Sequence, residues 1–269
     1  MTATRGSGQT RQRVARAAII LLIGGYLLLP MFAMLDFSTR GPGGSRTLDS
    51  FIAIGSNRDL LEGIFNSLAT AVLTVMGMLL LLVPTMTWTI VRVPRMRRVV
   101  EFLCLLPLAI PAIVLVVGIA PVYRGVTFLF GGSALTLVFI DIILVLPFAY
   151  RALDGALRSI DVATLADAGR SLGASWPRVI RQIIVPNIRP GILSASVLAV
   201  ALVLGEFTIS SLLNFDTLQV TINLIGKRDA FISVAVCLAA LTFAFVLIYA
   251  IAAFGSADQR RRQVAKEDE

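Results

Sequence analysis

The sequence predicts an all-α fold, a polytopic membrane bundle of six transmembrane helices, on three observations. Hydrophobic residues make up 57% of the 269, and the mean hydropathy of +0.86 is too high for a domain surrounded by water. Several apolar runs exceed the roughly 18 residues that mark a membrane-crossing helix. The basic residues behind the net charge of +8 sit between those runs, as anchors do, which argues against nucleic acid as a partner and for the lipid bilayer.

Taken in order, Arg5, Arg11, Arg13 and Arg16 precede the apolar run Ala17 to Leu35. That arrangement imitates a signal peptide, but the run is long and no small-x-small cleavage site follows cleanly, so it reads as an uncleaved first span after an arm, residues 1–16. Gly41, Pro42, Gly43, Gly44 and Ser45 start a loop that leaves room for a short surface helix. The second span, Ile64 to Val91, is longer than a bilayer requires and should project, tilt or bend near Pro84. The third, Val99 to Ala120, contains Pro107 and Pro111 and should kink. Gly131-Gly132 turns the chain into a fourth span, Ala134 to Tyr150. A fifth follows at Ile192 to Leu213, then a loop, NFDTLQVTINLIGKRDA, a sixth span at Phe231 to Phe254 and a solvated tail, residues 255–269. The chain reads as one transmembrane domain over 1–269.

Six spans fix an orientation. Eighteen of the 24 Lys and Arg residues fall in the two termini and the even-numbered connections, against six in the others. The positive-inside rule places both termini and the loop at 151–191 in the cytoplasm. Alanines spaced by four, Ala195-Ala199, Ala235-Ala239 and Ala240-Ala244, suit close helix packing in lipid. Histidine is absent, which excludes imidazole metal sites and histidine-dependent triads. Cys104 and Cys237 fall within spans and read as small apolar fillers.

The longest polar interruption, Asp161 to Gly191, reads as two short helices. Asp161 caps the first, whose apolar positions are Val162, Leu165, Ala168, Gly169 and Leu172, and Gly173 ends it. Ser175 caps the second, where Val179, Ile180, Ile183 and Ile184 oppose Arg178, Arg181 and Gln182, and Pro186 and Pro190 stop it. The run LADAGRSLGASWPRVIRQIIVPNIRPGI resembles the EAA loop of binding-protein-dependent ABC importer permeases. Asp167, Ala168 and Gly169 stand at the Glu-Ala-Ala positions, Gly173 at the glycine and Val185-Pro186 at the later apolar-Pro pair. Asp shortens the acidic arm, and Gly169 costs a helix interior roughly 0.5 to 1 kcal/mol. Asn66-Ser67-Leu68, LPLAIP, Gly205-Glu206-Phe207 and the length resemble the spermidine/putrescine permease group over nearly the whole chain.

The resemblance implies a type I importer permease in a prokaryotic inner membrane. Its partners are two ATP-binding subunits that hold ATP and magnesium, a second permease subunit and an extracytoplasmic solute-binding protein. Asp167, Ala168, Gly169, Arg170, Gly173 and Pro186 become the coupling contact. A polyamine is the implied solute, although related permeases carry ferric iron, thiamine, phosphonates, sulfate or molybdate. No G-x-x-x-x-G-K-[ST] loop is present, since Gly226-Lys227 lacks the upstream glycine, so no ATPase or cofactor site is expected in this chain. Asp154-Gly155 with Arg158 offers a fragment of a lipid phosphotransferase motif, without its spacing or later aspartates. A channel or secondary carrier independent of ATP leaves the polar loop unexplained.

Asp141 and Glu206 fall inside spans, where a carboxylate facing lipid costs about 2.5 to 3.5 kcal/mol, so both should face the bundle interior. At 1.5 Å per residue each lies about 10 Å below the outer boundary. Two roles stay open for them, lining a path for a cationic solute, or accepting hydrogen bonds from neighbours such as Thr208 that hold the bundle together.

Overall fold

A computed structural model describes residues 5–41, 45–246 and 249. Its long helices are α1 (Arg5–Ser38), α3 (Arg58–Val91), α5 (Ala112–Phe130), α6 (Val138–Arg158) and α10 (Arg189–Gly205). Shorter ones are α2 (Asp49–Ser56), α4 (Arg97–Leu105), α7 (Val162–Ser171), α8 (Trp176–Val179), α9 (Val185–Asn187), α11 (Thr208–Leu212) and α12 (Leu218–Gly226). The last described helix, α13, is Ala230–Val246. Among the described residues the β-structure is one isolated bridge, Arg40 to Arg46.

Among the described residues, five segments are long and apolar enough to cross a membrane: Arg16–Ser38, Arg58–Val91, Ala112–Phe130, Ala134–Arg158 and Arg189–Leu212. The sixth expected span begins as α13, and its continuation past Val246, like the tail 255–269, lies outside the described residues apart from Tyr249. The side chains of Arg5, Arg11 and Arg13 lie outside them too, although the backbone from Arg5 already belongs to α1.

The helices fall into two packed units. One takes the chain to Asn57 together with Ile222–Thr242. In it the Phe37 and Phe231 rings stack at 4.9 Å, Ser233 donates to the Ile222 carbonyl at 3.0 Å, and Asp229 caps α13 through the amides of Phe231 and Ile232. The other unit holds Arg58–Thr221. Its core is the seam of α3, α6 and α10, where Met78, Leu82, Val145, Leu153, Ala195 and Ala199 are buried. The spacing of four that places Ala195 and Ala199 on one face brings α10 close enough to α6 that Gly191 lies directly against Ala156.

Four sequence expectations change. The third span is not a kinked helix over Val99 to Ala120: α4 ends in a 3₁₀ turn at Leu106–Ala109, Ile110 is extended at φ −107° and ψ 119°, and the crossing helix is α5. Steric conflict between a proline ring and the preceding residue keeps Ile110 out of the helical region. The fourth span does not stop at Tyr150 but continues two turns to Arg158, taking residues 151–158 of the expected loop into helix. The fifth breaks at Glu206 and resumes as α11. The expected loop after Leu213 contains α12, whose first amide, Leu218 N–H, donates to the Ser67 hydroxyl at 2.8 Å, while Asn66 donates to the Asp216 carbonyl at 2.9 Å.

Candidate functional site

Three residues, Ser159, Ile160 and the cap Asp161, separate α6 from the first polar helix. The Asp161 carboxylate accepts from the Thr164 hydroxyl at 2.7 Å and the Thr164 amide at 3.2 Å, capping α7 as its position predicts. Those bonds, the hydroxyl first and the amide second, hold the Asp161 pKa below the ordinary 3.8. At the other end Gly173 N–H donates to the Arg170 carbonyl at 2.9 Å and Ala174 N–H to the Gly169 carbonyl at 3.0 Å. This is a Schellman turn, and it needs the φ of +82° that Gly173 adopts.

The turn decides what α7 exposes. Val162, Ala166 and Gly169 face inward, while Asp167, Ala168, Arg170 and Gly173 are exposed and Leu172 is 89% exposed. Ala168 and Leu172, expected inside, are therefore outside: the buried stripe advances from 162 to 166 to 169, and the turn carries Leu172 away from it. Gly169 has a packing reason to be glycine, because a Cβ there would lie 2.5 Å from Ile183 Cδ1 and 3.3 Å from Val179 Cγ2. The residue that weakens the helix is one that lets Ile183 of the second helix pack against it without shifting.

That second helix starts at α8 and widens into a π-turn over Ile180–Ile184, where Val185 N–H reaches back to the Ile180 carbonyl. Ser175 holds the cap position without a capping bond from its hydroxyl. Val179 and Ile184 are fully buried, opposite exposed Arg178, Arg181 and Gln182, as the apolar spacing predicts. Pro186 does not stop the helix. It sits half-buried in the first turn of α9, where a missing N–H costs little, and one residue, Ile188, separates α9 from α10.

A cation–π contact fastens this knob to the bundle, and ion pairs brace the helices beside it. The Arg92 guanidinium, just past α3, lies 5.3 Å from the Trp176 ring centroid, and that of Arg170 lies 5.9 Å from it. Arg170 also donates to the Ala174 carbonyl at 2.8 Å, so it is turned back onto its own loop. Asp154, with a side chain 7% exposed, accepts from Arg97 at 2.6 Å and Arg158 at 2.7 Å. The motif fragment at Asp154 is thus an ion-pair node, a role the sequence did not disclose because Arg97 is 57 positions away.

Further along the same helices, Asp141 and Glu206 line one cavity of about 170 Å³, together with Pro107, Leu108, Pro147 and Phe148. Glu206 stands at the break between α10 and α11 and accepts from the Ile209 amide at 2.9 Å, the Ser210 amide at 3.1 Å and the Ser210 hydroxyl at 3.3 Å. It is a helix cap reaching from one residue upstream, and Thr208 is not its partner. Asp141 is 4% exposed, and among the described residues no hydrogen bond or ion pair reaches its carboxylate.

Apolar crossing helices around an acidic cavity, with a polar helical knob at one end, define a polytopic membrane transport protein. The chain belongs to the family described as the binding-protein-dependent transport system inner membrane component, which matches residues 85–256 and has the type I ABC permease fold. It is a family of permeases, not of enzymes. The chain is also 33% identical over 105 residues to a protein of Chlamydomonas reinhardtii named sulfate permease 2, chloroplastic. That stretch is 39% of this chain and 25% of the relative, so the chain spans a quarter of the relative's length.

Proposed function

We propose that this chain is a permease subunit of an ATP-driven importer, coupled through residues 161–191 to a separate ATPase and carrying a small organic cation of the polyamine type. Two ATP-binding subunits supply ATP and magnesium chemistry, a second permease subunit completes the path, and an external binding protein delivers the solute. The knob then faces the cytoplasm, as the charge distribution predicts.

The observation that carries this reading is Leu172, a large apolar side chain 89% exposed at the tip of a stiff turn, with Asp167 and Ala168 exposed one turn earlier. An apolar anchor with a charged rim suits a protein surface that covers it. The cavity supports a cation over an oxyanion: two of its lining residues are carboxylates and none is basic. Its remaining walls are hydrocarbon, which suits methylene groups better than a hydrated metal ion.

Purification of the complex through this chain tests the reading. A Walker-type ATPase should come with it, and Leu172→Asp or Asp167→Lys should insert normally yet lose solute-stimulated ATP hydrolysis. Full stimulation in both variants, or labelling of Leu172→Cys from outside intact cells, sinks the proposal.

A further inference from the structure

We infer that α4 is the rod through which movement of the knob reaches the wall of the acidic cavity, and that Asp154 is the joint that makes the connection rigid. The inference rests on the coupling reading above and extends it, because α4 lies outside the knob.

The joint is doubly made. Asp154 Oδ1 accepts from Arg97, the first residue of α4, and Oδ2 from Arg158 at the end of α6, both within 2.7 Å. A second bridge, Arg151 to Glu101 at 3.1 Å, crosses the same two helices one turn along. Two ion pairs a turn apart fix rotation as well as position, and the nearly buried carboxylate between two cations is the strongly directional kind.

The input side is fastened to the knob at two places. α6 passes into α7 after three residues, and Arg92 covers Trp176 just before the Pro94–Met96 turn that feeds α4. The output side is the cavity wall: α4 runs directly into the Leu106–Ala109 turn, from which Pro107 and Leu108 face the space shared with Asp141 and Glu206. Its nine residues span about 13 Å and contain neither glycine nor proline, so a displacement passes along it without being absorbed. Extended Ile110 before Pro111 then lets the turn shift without carrying α5 with it.

The test uses the complex purified through this chain and reconstituted in vesicles, with Cys104 and Cys237 replaced by alanine and Leu108→Cys as reporter. The rate at which a membrane-impermeant thiol reagent labels the reporter should change when ATP and magnesium are added. Asp154→Asn should abolish that ATP dependence while the same amount of ATPase co-purifies and still hydrolyses ATP. Arg97→Lys, which keeps the charge but not the forked donor, should restore part of the response relative to Arg97→Ala. Should Asp154→Asn fail to assemble, Arg97→Ala combined with Glu101→Gln takes its place with the same expectation, since Asp154 keeps Arg158. An undiminished ATP response in these variants overturns the lever alone. Absence of an ATPase overturns the importer reading and the lever with it, whereas a complex that holds the ATPase, with Asp154 and Arg97 intact, but whose reporter ignores ATP overturns the lever alone.

Discussion

The carboxylates of Asp141 and Glu206 share one cavity, but among the described residues only Glu206 is held by protein donors. Their substitutions should therefore part company. Glu206→Gln weakens charge-assisted bonds to two backbone amides and should cost about 1 to 3 kcal/mol of stability. Asp141→Asn removes a buried charge without a partner and should leave stability unchanged or raised, while uptake of a cationic solute falls. Thermal unfolding in detergent, paired with uptake normalised to folded protein, checks both. Full uptake by Asp141→Asn would remove it from the path.

Gly191 gives a sharper packing test. An added Cβ would meet Ala156 Cβ at 2.3 Å and the Ala152 carbonyl oxygen at 3.1 Å, atoms that no side-chain rotation can move. Gly191→Ala must part α10 from α6 and should cost about 1 to 3 kcal/mol or more. Ala156→Gly in the same chain should recover much of that loss. Gly205→Ala is the control, because nothing lies within 4 Å of its added Cβ. A shared unfolding midpoint for Gly191→Ala and Gly205→Ala would show that the two helices are not in contact.

Much of this architecture was legible because membrane helices and caps are written locally. The apolar runs, the Asp161 cap, the Gly173 turn and the Val179 and Ile184 stripe all follow from spacing within a few residues. What escaped was long-range or depended on a chain reversal. Ser67 accepts from an amide 151 positions away, and Asp154 meets Arg97 across 57, so neither partner could be named from the sequence. The break at Glu206 did leave a local sign, an acid three and four residues before Ile209 and Ser210, in reach of both amides. The α7 stripe differs from the expected one at Ala168 because the buried face runs through Val162, Ala166 and Gly169, which leaves Ala168 on the far side, and at Leu172 because Gly173 changes the direction of the chain there.

Asp161 makes the knob sensitive to acid. Its hydrogen bonds to Thr164 lower its pKa from 3.8, so the folded knob binds fewer protons there than the unfolded chain does. The stabilisation is complete above 3.8 and is lost as pH falls through the lower folded value. Hydrogen exchange at the amides of 162–171 should therefore accelerate below pH 4 beyond the trend of the rest of the chain. Asp161→Asn keeps an acceptor oxygen without the titration, so its protection should stay flat across the same interval.

Gly169 separates helix propensity from helix contact. Alanine there gains about 0.5 to 1 kcal/mol of propensity, and the atom it presses most, Ile183 Cδ1, is the free end of a flexible side chain that can swing aside. The two effects nearly offset each other, so Gly169→Ala should lie within about 0.5 kcal/mol of the parent. Valine places two further methyl groups against Ile183 and Val179, and overpacking of that kind costs roughly 1 to 3 kcal/mol. Trp176 reports on the outcome, because its ring is covered by Arg92 and Arg170 only while the second helix stays seated. With Trp88, the other tryptophan, changed to Phe, Gly169→Val should shift the Trp176 emission and lower the unfolding midpoint, whereas Gly169→Ala should do neither. If valine left both readouts where they were, the close approach of α7 to the π-turn would be wrong, and the glycine would need another explanation.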